Sequence, residues 1–353
     1  MLSSMKLMNG VLWAALCVLV WTRPAYSQWV QTGAFCNGAI NVLAVSGSDL
    51  FTGTAKRGVM RSSDNGETWF ETGLTNKNIR ALIVSGSKLI AGGDTGGVFV
   101  STDNGAWWTN ISIDRTASDV MAVAELDSML YAGTYGSGVF RSTDGGKTWK
   151  QADPNFATQI VTSLVVSGTR LLAGTLDNAG VFLSKDHGDT WKAVNQGLES
   201  RYVTALAVSG VKIFAATNAG LSSSTDEGAN WTAVNTGLNE TYVKALAVSN
   251  GRIMCAAETP LLSTDNGVTW RQIGDGSSML WICALAIVDT AYFAGTHQGD
   301  LYRSSSNGTR WEHTALPNSH AQFVTSLVSI GNDIFLGTRG GVLICPNDEF
   351  FFS

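Results

Sequence analysis

Charge is scarce in this 353-residue chain: Asp, Glu, Lys and Arg make up 14% of it, against roughly 25% in ordinary globular domains. Long solvent-exposed helices carry those residues on their outer face, so a helical fold is excluded. The formal net charge is −5 with no basic cluster, which excludes a nucleic-acid-binding surface. Only four histidines and five cysteines are present, and their isolated placement fits no zinc spacing. A G-x-S-x-G elbow and a phosphate loop are both missing. After residue 21 no apolar run is long enough for a membrane helix. Disorder is excluded as well, because 44% of the residues are hydrophobic. What the chain has in quantity is glycine, 39 residues, and tryptophan, 12.

The first 27 residues read as a secretory signal. Lys6 precedes the apolar run VLWAALCVLVW at 11–21, followed by Arg23, Pro24 and the small-x-small triplet Ala25-Tyr26-Ser27. Cleavage is expected before Gln28, with an uncleaved anchor as the alternative. The run is too short to span a bilayer comfortably. The remaining chain, 28–353, is then a secreted or periplasmic protein with no membrane span. It keeps Cys36, Cys255, Cys283 and Cys345. Export permits disulfides, and Cys255 and Cys283 fall in neighbouring repeats. A bridge between them and buried thiols are both open.

Internal repetition dominates the rest. Seven boxes share one pattern: SSDNGETW (62–69), STDNGAWW (101–108), STDGGKTW (142–149), SKDHGDTW (184–191), STDEGANW (224–231), STDNGVTW (263–270) and SSSNGTRW (304–311). They end at Trp69, Trp108, Trp149, Trp191, Trp231, Trp270 and Trp311, in steps of 39 to 42 residues. Trp29 lies 40 residues before Trp69 and lacks a box. Between the boxes, two apolar runs flank a turn eight times, as in ALIVSGSKLIAGG (81–93) and SLVVSGTRLLAGT (163–175). That is a hairpin signature. A Gly-rich turn and a third run follow, and the tryptophan run is the fourth. Four antiparallel strands per ~41 residues match a propeller blade. The prediction is an all-β single propeller of eight blades, the last closed by the N-terminal strand. Such a clip removes the open sheet edges. Seven blades with frayed ends is the alternative.

The S-x-D-x-G-x-x-W box resembles the Asp-box, or BNR repeat, shared by sialidases, two-propeller xyloglucanases, sortilin-type receptors and photosystem-assembly-factor-like propellers. The resemblance covers nearly all of 28–353 and is specific for fold rather than function. Residue chemistry explains the box. Asp64, Asp103, Asp144, Asp186, Asp226 and Asp265 can accept hydrogen bonds from turn backbone N–H groups. The box glycines supply positive φ, and the tryptophans bury large apolar surfaces. A calcium loop would need further acidic ligands that the boxes lack, so no metal and no cofactor is implied. Ser306 replaces the aspartate in the seventh box.

A site is expected on the turns joining second to third strands and on the connections between blades. These carry Arg57, Tyr135, Arg201, Tyr202, Tyr242, Trp281, His297 and Arg339 as candidate ligand-rim residues. Asp94, Asp177, Glu258 and Asp300 are the candidate catalytic carboxylates. A glycosidase needs two carboxyl groups about 5–9.5 Å apart. The sialidase resemblance would further imply an Arg-Ile-Pro motif, and none is present; the single Arg-Pro, Arg23-Pro24, falls in the leader. Two functions follow as expectations. The first is an exported, monomeric, non-enzymatic propeller whose polar rim binds a protein or glycan. The alternative is a carbohydrate-active enzyme.

Overall fold

The computed structural model describes residues 30–32, 38–113, 117–157, 159–235, 242–256, 261–272, 282–288, 290–304, 308–316, 323–331 and 333–345. The leader, Trp29, Cys36, Glu258, Trp281 and Ser306 lie outside the described residues.

Each repeat forms one four-stranded antiparallel sheet, and eight sheets follow one another along the chain. In blade 1 the strands are Ile40–Ser46, Asp49–Thr54, Val59–Ser62 and Phe70–Glu71. Blade 8 takes Val324–Ile330, Asp333–Thr338 and Gly341–Cys345 from the end of the chain and Val30–Gln31 from its start. Val30 pairs with Ile344 and Gln31 with Leu343. The Thr32 amide and hydroxyl both donate to the Val342 carbonyl, at 3.1 and 3.0 Å. The fold is therefore an eight-bladed β-propeller whose last blade is shared by the two ends of the chain. A short 3-10 turn, Pro154–Phe156, interrupts the connection from blade 3 to blade 4.

Burial changes from the hub outward, and the residue types follow it. The first strands stand side by side around the central channel. The second strands are buried almost throughout, as in Arg170–Thr175 and Asp333–Thr338. They are sandwiched between neighbouring sheets, which is why they read as unbroken apolar runs rather than as alternating ones. The fourth strands are two-residue edges in most blades, and those of blades 1 to 4 are exposed.

The core lies between blades. One cluster joins Ile40, Leu43, Leu50, Met60 and Trp69 of blade 1 to Phe335 and Val342 of blade 8. A repeated small-against-branched fit sets the blade spacing. A Cβ on Gly133 of blade 3 would stand 2.6 Å from Val161 Cγ1 of blade 4. A Cβ on Gly337 of blade 8 would stand 2.9 Å from Ile40 Cγ2 of blade 1. Gly53, Gly92, Gly174 and Gly295 meet Ile79, Val120, Val203 and Val324 in the same way. In these six blades the penultimate residue of the second strand is thus a glycine that forms the hole for the β-branched residue opening the next blade.

Cys255 is buried beside Phe214 and Leu261, whereas Cys345 is buried with Phe293 and Leu343. No disulfide forms among Cys255, Cys283 and Cys345.

Overfilling one hole is expected to destabilise the ring. Gly133→Ala should cost about 1–3 kcal/mol by overpacking. Val161→Ala in the same chain should return part of that loss. Denaturant unfolding of the two single variants and the double variant measures the coupling.

Candidate functional site

In an antiparallel blade the second-to-third turns and the connections between blades share one end of the ring, here termed the mouth. The box turns occupy the other end, on the two outermost strands.

At the box end one arrangement recurs. In the blade 3 box, Ser142 Oγ accepts from the Gly146 amide at 2.7 Å and donates to Asp144 Oδ1 at 2.8 Å. Asp144 also accepts from the Thr148 amide at 2.9 Å and the Thr148 hydroxyl at 2.6 Å. Boxes at Asp64, Asp186, Asp226 and Asp265 repeat this pattern, with Asn230 in place of threonine beside Asp226. The side-chain bond from Thr148, then the amide, holds the Asp144 pKa down to about 2. Asn230 and Thr269 do the same for Asp226 and Asp265, each to about 2. Asp103 is lowered too, chiefly by the Trp107 amide.

The box tryptophans of blades 1 to 6 also reach towards the preceding blade or the connection from it. Trp69 Nε1 donates to Thr32 Oγ1 at 2.9 Å, Trp108 Nε1 to Thr72 Oγ1 at 3.1 Å, and Trp231 Nε1 to the Val194 carbonyl at 2.6 Å. Trp149 reaches the Ile111 carbonyl, and Trp191 stacks on Phe156 with centroids 5.3 Å apart. Trp270 packs with Phe214 and Val234 of blade 5, and Trp311 bonds to the Gly308 carbonyl of its own turn at 3.2 Å. Gly146 stands at φ 90°, and a Cβ there would lie 2.3 Å from Ile111. His187 of the blade 4 box lies 3.0 Å from Asp127.

At the mouth the turns are braced from inside. Thr54, Thr134, Thr175, Thr217 and Thr338 are buried and donate across the turn to glycine carbonyls at 2.8–3.0 Å. A β-bulge follows the first residue of the first strand in blades 1 to 5, 7 and 8. Bulges re-aim side chains, and here the bulged residues can reach the next blade. Asn41 donates to the Ile79 carbonyl at 2.8 Å, and Arg80 reaches Asp119 at 3.2 Å. Arg80 is on a connection that the sequence placed at the mouth, whereas the bracing threonines, Asn41, Asp119 and Lys244 escaped the sequence analysis. The threonine recurs after Gly, or after Ala216 in blade 5, which is a usable signal; a bulge leaves no such mark.

The three described candidate carboxylates stand on separate blades with partners already in place. Asp94 of blade 2 accepts from Asn78 at 3.0 Å and Arg80 at 3.2 Å. Asp177 of blade 4 accepts from the Ile160 amide at 3.1 Å. Asp300 of blade 7 lies 2.9 Å from His313 Nε2 on the fourth strand, so it leans outward. Arg57 leans outward too, 2.6 Å from Glu71.

The other rim candidates gather on blades 5 to 8. Arg201, His297 and Arg339 are exposed. Tyr242 is 43% exposed, and Lys244 sits 5.6 Å from its ring centroid. Burial raises the Tyr242 pKa, and Tyr202 beside it adds to the shift. His297 contacts Phe323 edge-on with centroids 3.4 Å apart, and the Arg339 guanidinium covers the same Phe323 ring at 3.5 Å. Desolvation first, then Arg339 and Lys244, hold the His297 pKa below its ordinary value. Phe323 has a φ of 64°, which an aromatic residue seldom adopts. It occupies the repeat position of Tyr202 and Tyr242, just before a first strand; that periodicity was its available signal. Tyr135 stands apart on blade 3, 55% exposed. Among the described residues, Asp94, Asp119 and Asp177 stand at the mouth on blades 2 to 4, and Tyr242, Lys244, His297, Phe323 and Arg339 gather on blades 6 to 8, where Asp300 also stands. Among the described residues no group of three or more His, Cys, Asp and Glu side chains could hold a metal ion. No helix among them is long and apolar enough to cross a membrane.

The chain's box repeat matches the BNR/Asp-box repeat family over residues 140–151. It matches no curated protein sequence. Its fold is shared with solved propellers at low identity. The computationally designed Ika8 protein aligns at TM-score 0.71 and 17% identity, over 90% of this chain and 99% of that one. YCF48 bound to D1 peptide aligns at TM-score 0.59 and 16% identity, over 90% and 94%. The GH74 xyloglucanase from Xanthomonas campestris aligns at TM-score 0.55 and 17% identity, over 90% of this chain and 53% of the enzyme. The chain is an eight-bladed β-propeller carrying Asp-box repeats.

The depressed box carboxyls predict an acid-labile ring. Their folded pKa of about 2 lies below the ordinary 3.8. The stabilisation is present above pH 4 and lost as pH falls towards 2, because the unfolded chain takes up protons first. Melting temperature should fall over that window, and Asp144→Asn should flatten the fall. Thermal scans from pH 2 to 7 check both.

Proposed function

We propose that this chain is an exported, non-enzymatic scaffold that docks a protein partner on the blade 5–8 half of its mouth. In this reading residues 1–27 are a signal peptide and 28–353 form the single propeller domain. The observation that carries it is the cluster of Tyr242, Lys244, His297, Phe323 and Arg339 on this side of the mouth. Arg201, Tyr242, His297 and Arg339 are exposed on this half of the rim, and Asp94, Asp177 and Asp300 are each engaged by a neighbouring group. Aromatic and arginine side chains are the residue types that anchor protein interfaces. The solved complex of the similarly folded YCF48 with a D1 peptide supports a peptide-docking role for such a ring.

A glycoside hydrolase is the second reading, favoured by the xyloglucanase likeness. Against it, the three described carboxylates are each engaged by a neighbouring group.

The test pairs a binding and a catalytic arm on the chain without its leader. Crosslinking from the mouth, followed by mass spectrometry, should recover a protein that Arg339→Glu combined with Tyr242→Ala loses by tenfold or more. A panel of fluorogenic glycosides should show no turnover. Turnover abolished by Asp94→Asn or Glu258→Gln would instead establish the hydrolase.

A further inference from the structure

At two positions on the outer edge of blades 1 and 2 the repeat breaks its own pattern. The residue before the final box tryptophan is Thr68, Thr148, Thr190, Asn230, Thr269 or Arg310, but in the second box it is Trp107. Where threonine stands, its hydroxyl donates to the box aspartate, as at Thr148. Asp103 keeps the Trp107 amide, at 2.9 Å, and has no hydroxyl there. The indole is 79% exposed, so this box gives up a side-chain bond and gains no burial. One residue beyond the box tryptophan, the chain has Thr109, Lys150, Lys192, Thr232, Arg271 and Glu312, but Phe70 in blade 1. Phe70 is 62% exposed. A local rule broken without structural gain points to function.

Phe70 opens onto a groove at this edge, and Trp107 is the next residue along the chain from its lining. The groove measures about 230 Å³ and is lined by Arg61, Ser63, Phe70, Glu71, Gly105 and Ala106 among others. Its two charged side chains are already answered. Arg61 lies 2.9 Å from Asp49, and Glu71 lies 2.6 Å from Arg57. The groove therefore offers hydrogen-bonding groups in fixed positions without a net charge to select an ion. It is smaller than the roughly 300–1,000 Å³ of pockets that enclose drug-sized ligands.

We propose that this edge is a subsite for a neutral sugar ring of a polysaccharide. A pyranose has an apolar C–H face, which an exposed aromatic can cover, and a rim of hydroxyls, which Ser63, Glu71 and Arg61 can meet. Trp107 and Phe70 supply the stacking surfaces, and the remainder of the glycan lies outside the ring of blades. The site is at the box end, on the opposite side from the mouth.

The experiment is affinity electrophoresis of the full propeller in gels containing hydroxyethylcellulose, laminarin or galactomannan, with polygalacturonate as the charged comparison. At least one neutral polysaccharide should retard the protein, and polygalacturonate should not. Trp107→Thr and Phe70→Thr should each weaken retention about tenfold. Trp107→Thr restores the common box residue, so its melting temperature should be no lower than that of the parent, which separates lost binding from lost folding. Arg339→Glu, at the mouth, should leave retention unchanged; this arm distinguishes failure here from failure of the docking reading above. Retention surviving Trp107→Thr, stronger retention by polygalacturonate, or no retention in any neutral gel would overturn the proposal.

Discussion

A propeller of this kind depends on how closely one sheet can approach the next. Here the approach is set by a missing side chain: Gly133 leaves room for Val161, and the same exchange recurs around the ring to Gly337 and Ile40. Interiors are packed too densely to absorb an extra methyl at such contacts without strain. Ala216 precedes Thr217 of blade 5 in the place of that glycine, so the rule admits a small residue rather than glycine alone. Because the last hole receives the first knob, the spacing and the closure of the circle are one geometric requirement.

The boxes work on the same joint from outside. Serine, aspartate and threonine lock the turn, and the turn carries a tryptophan to the blade before it. The aspartates are therefore engaged with their own backbone rather than turned towards a ligand. Their low pKa values come from several short donors converging on exposed carboxylates, not from a catalytic environment. A perturbed titration is a pointer to function only when geometry agrees.

With stability held in the joints and the box turns, the mouth is released from a packing role. Side chains there vary from blade to blade while the braces beneath them repeat. Asp94 and Asp119 share Arg80 on one half, and Phe323 is covered by Arg339 and His297 on the other. Function on a propeller is carried by such departures from the repeat, and the fold itself is common to unrelated activities.

The sequence alone determined the strand count, the blade count and the joining of the chain ends, because a repeat of ~41 residues and a tryptophan run without its box are properties of order along the chain. It also marked the rim turns and the recurrence of Tyr202, Tyr242 and Trp281. Only the tertiary structure decided which blade each tryptophan serves, that Arg57 and Asp300 turn outward, and that Cys255 and Cys283 form no bridge. It alone showed the bulged Asn41 and Arg80 reaching across to their neighbours. The last are relations between residues 38 and 39 positions apart, and those of Arg57 and Asp300 between residues 14 and 13 apart. Their outcome depends on the angle between sheets and the local bulge, neither of which a linear pattern encodes.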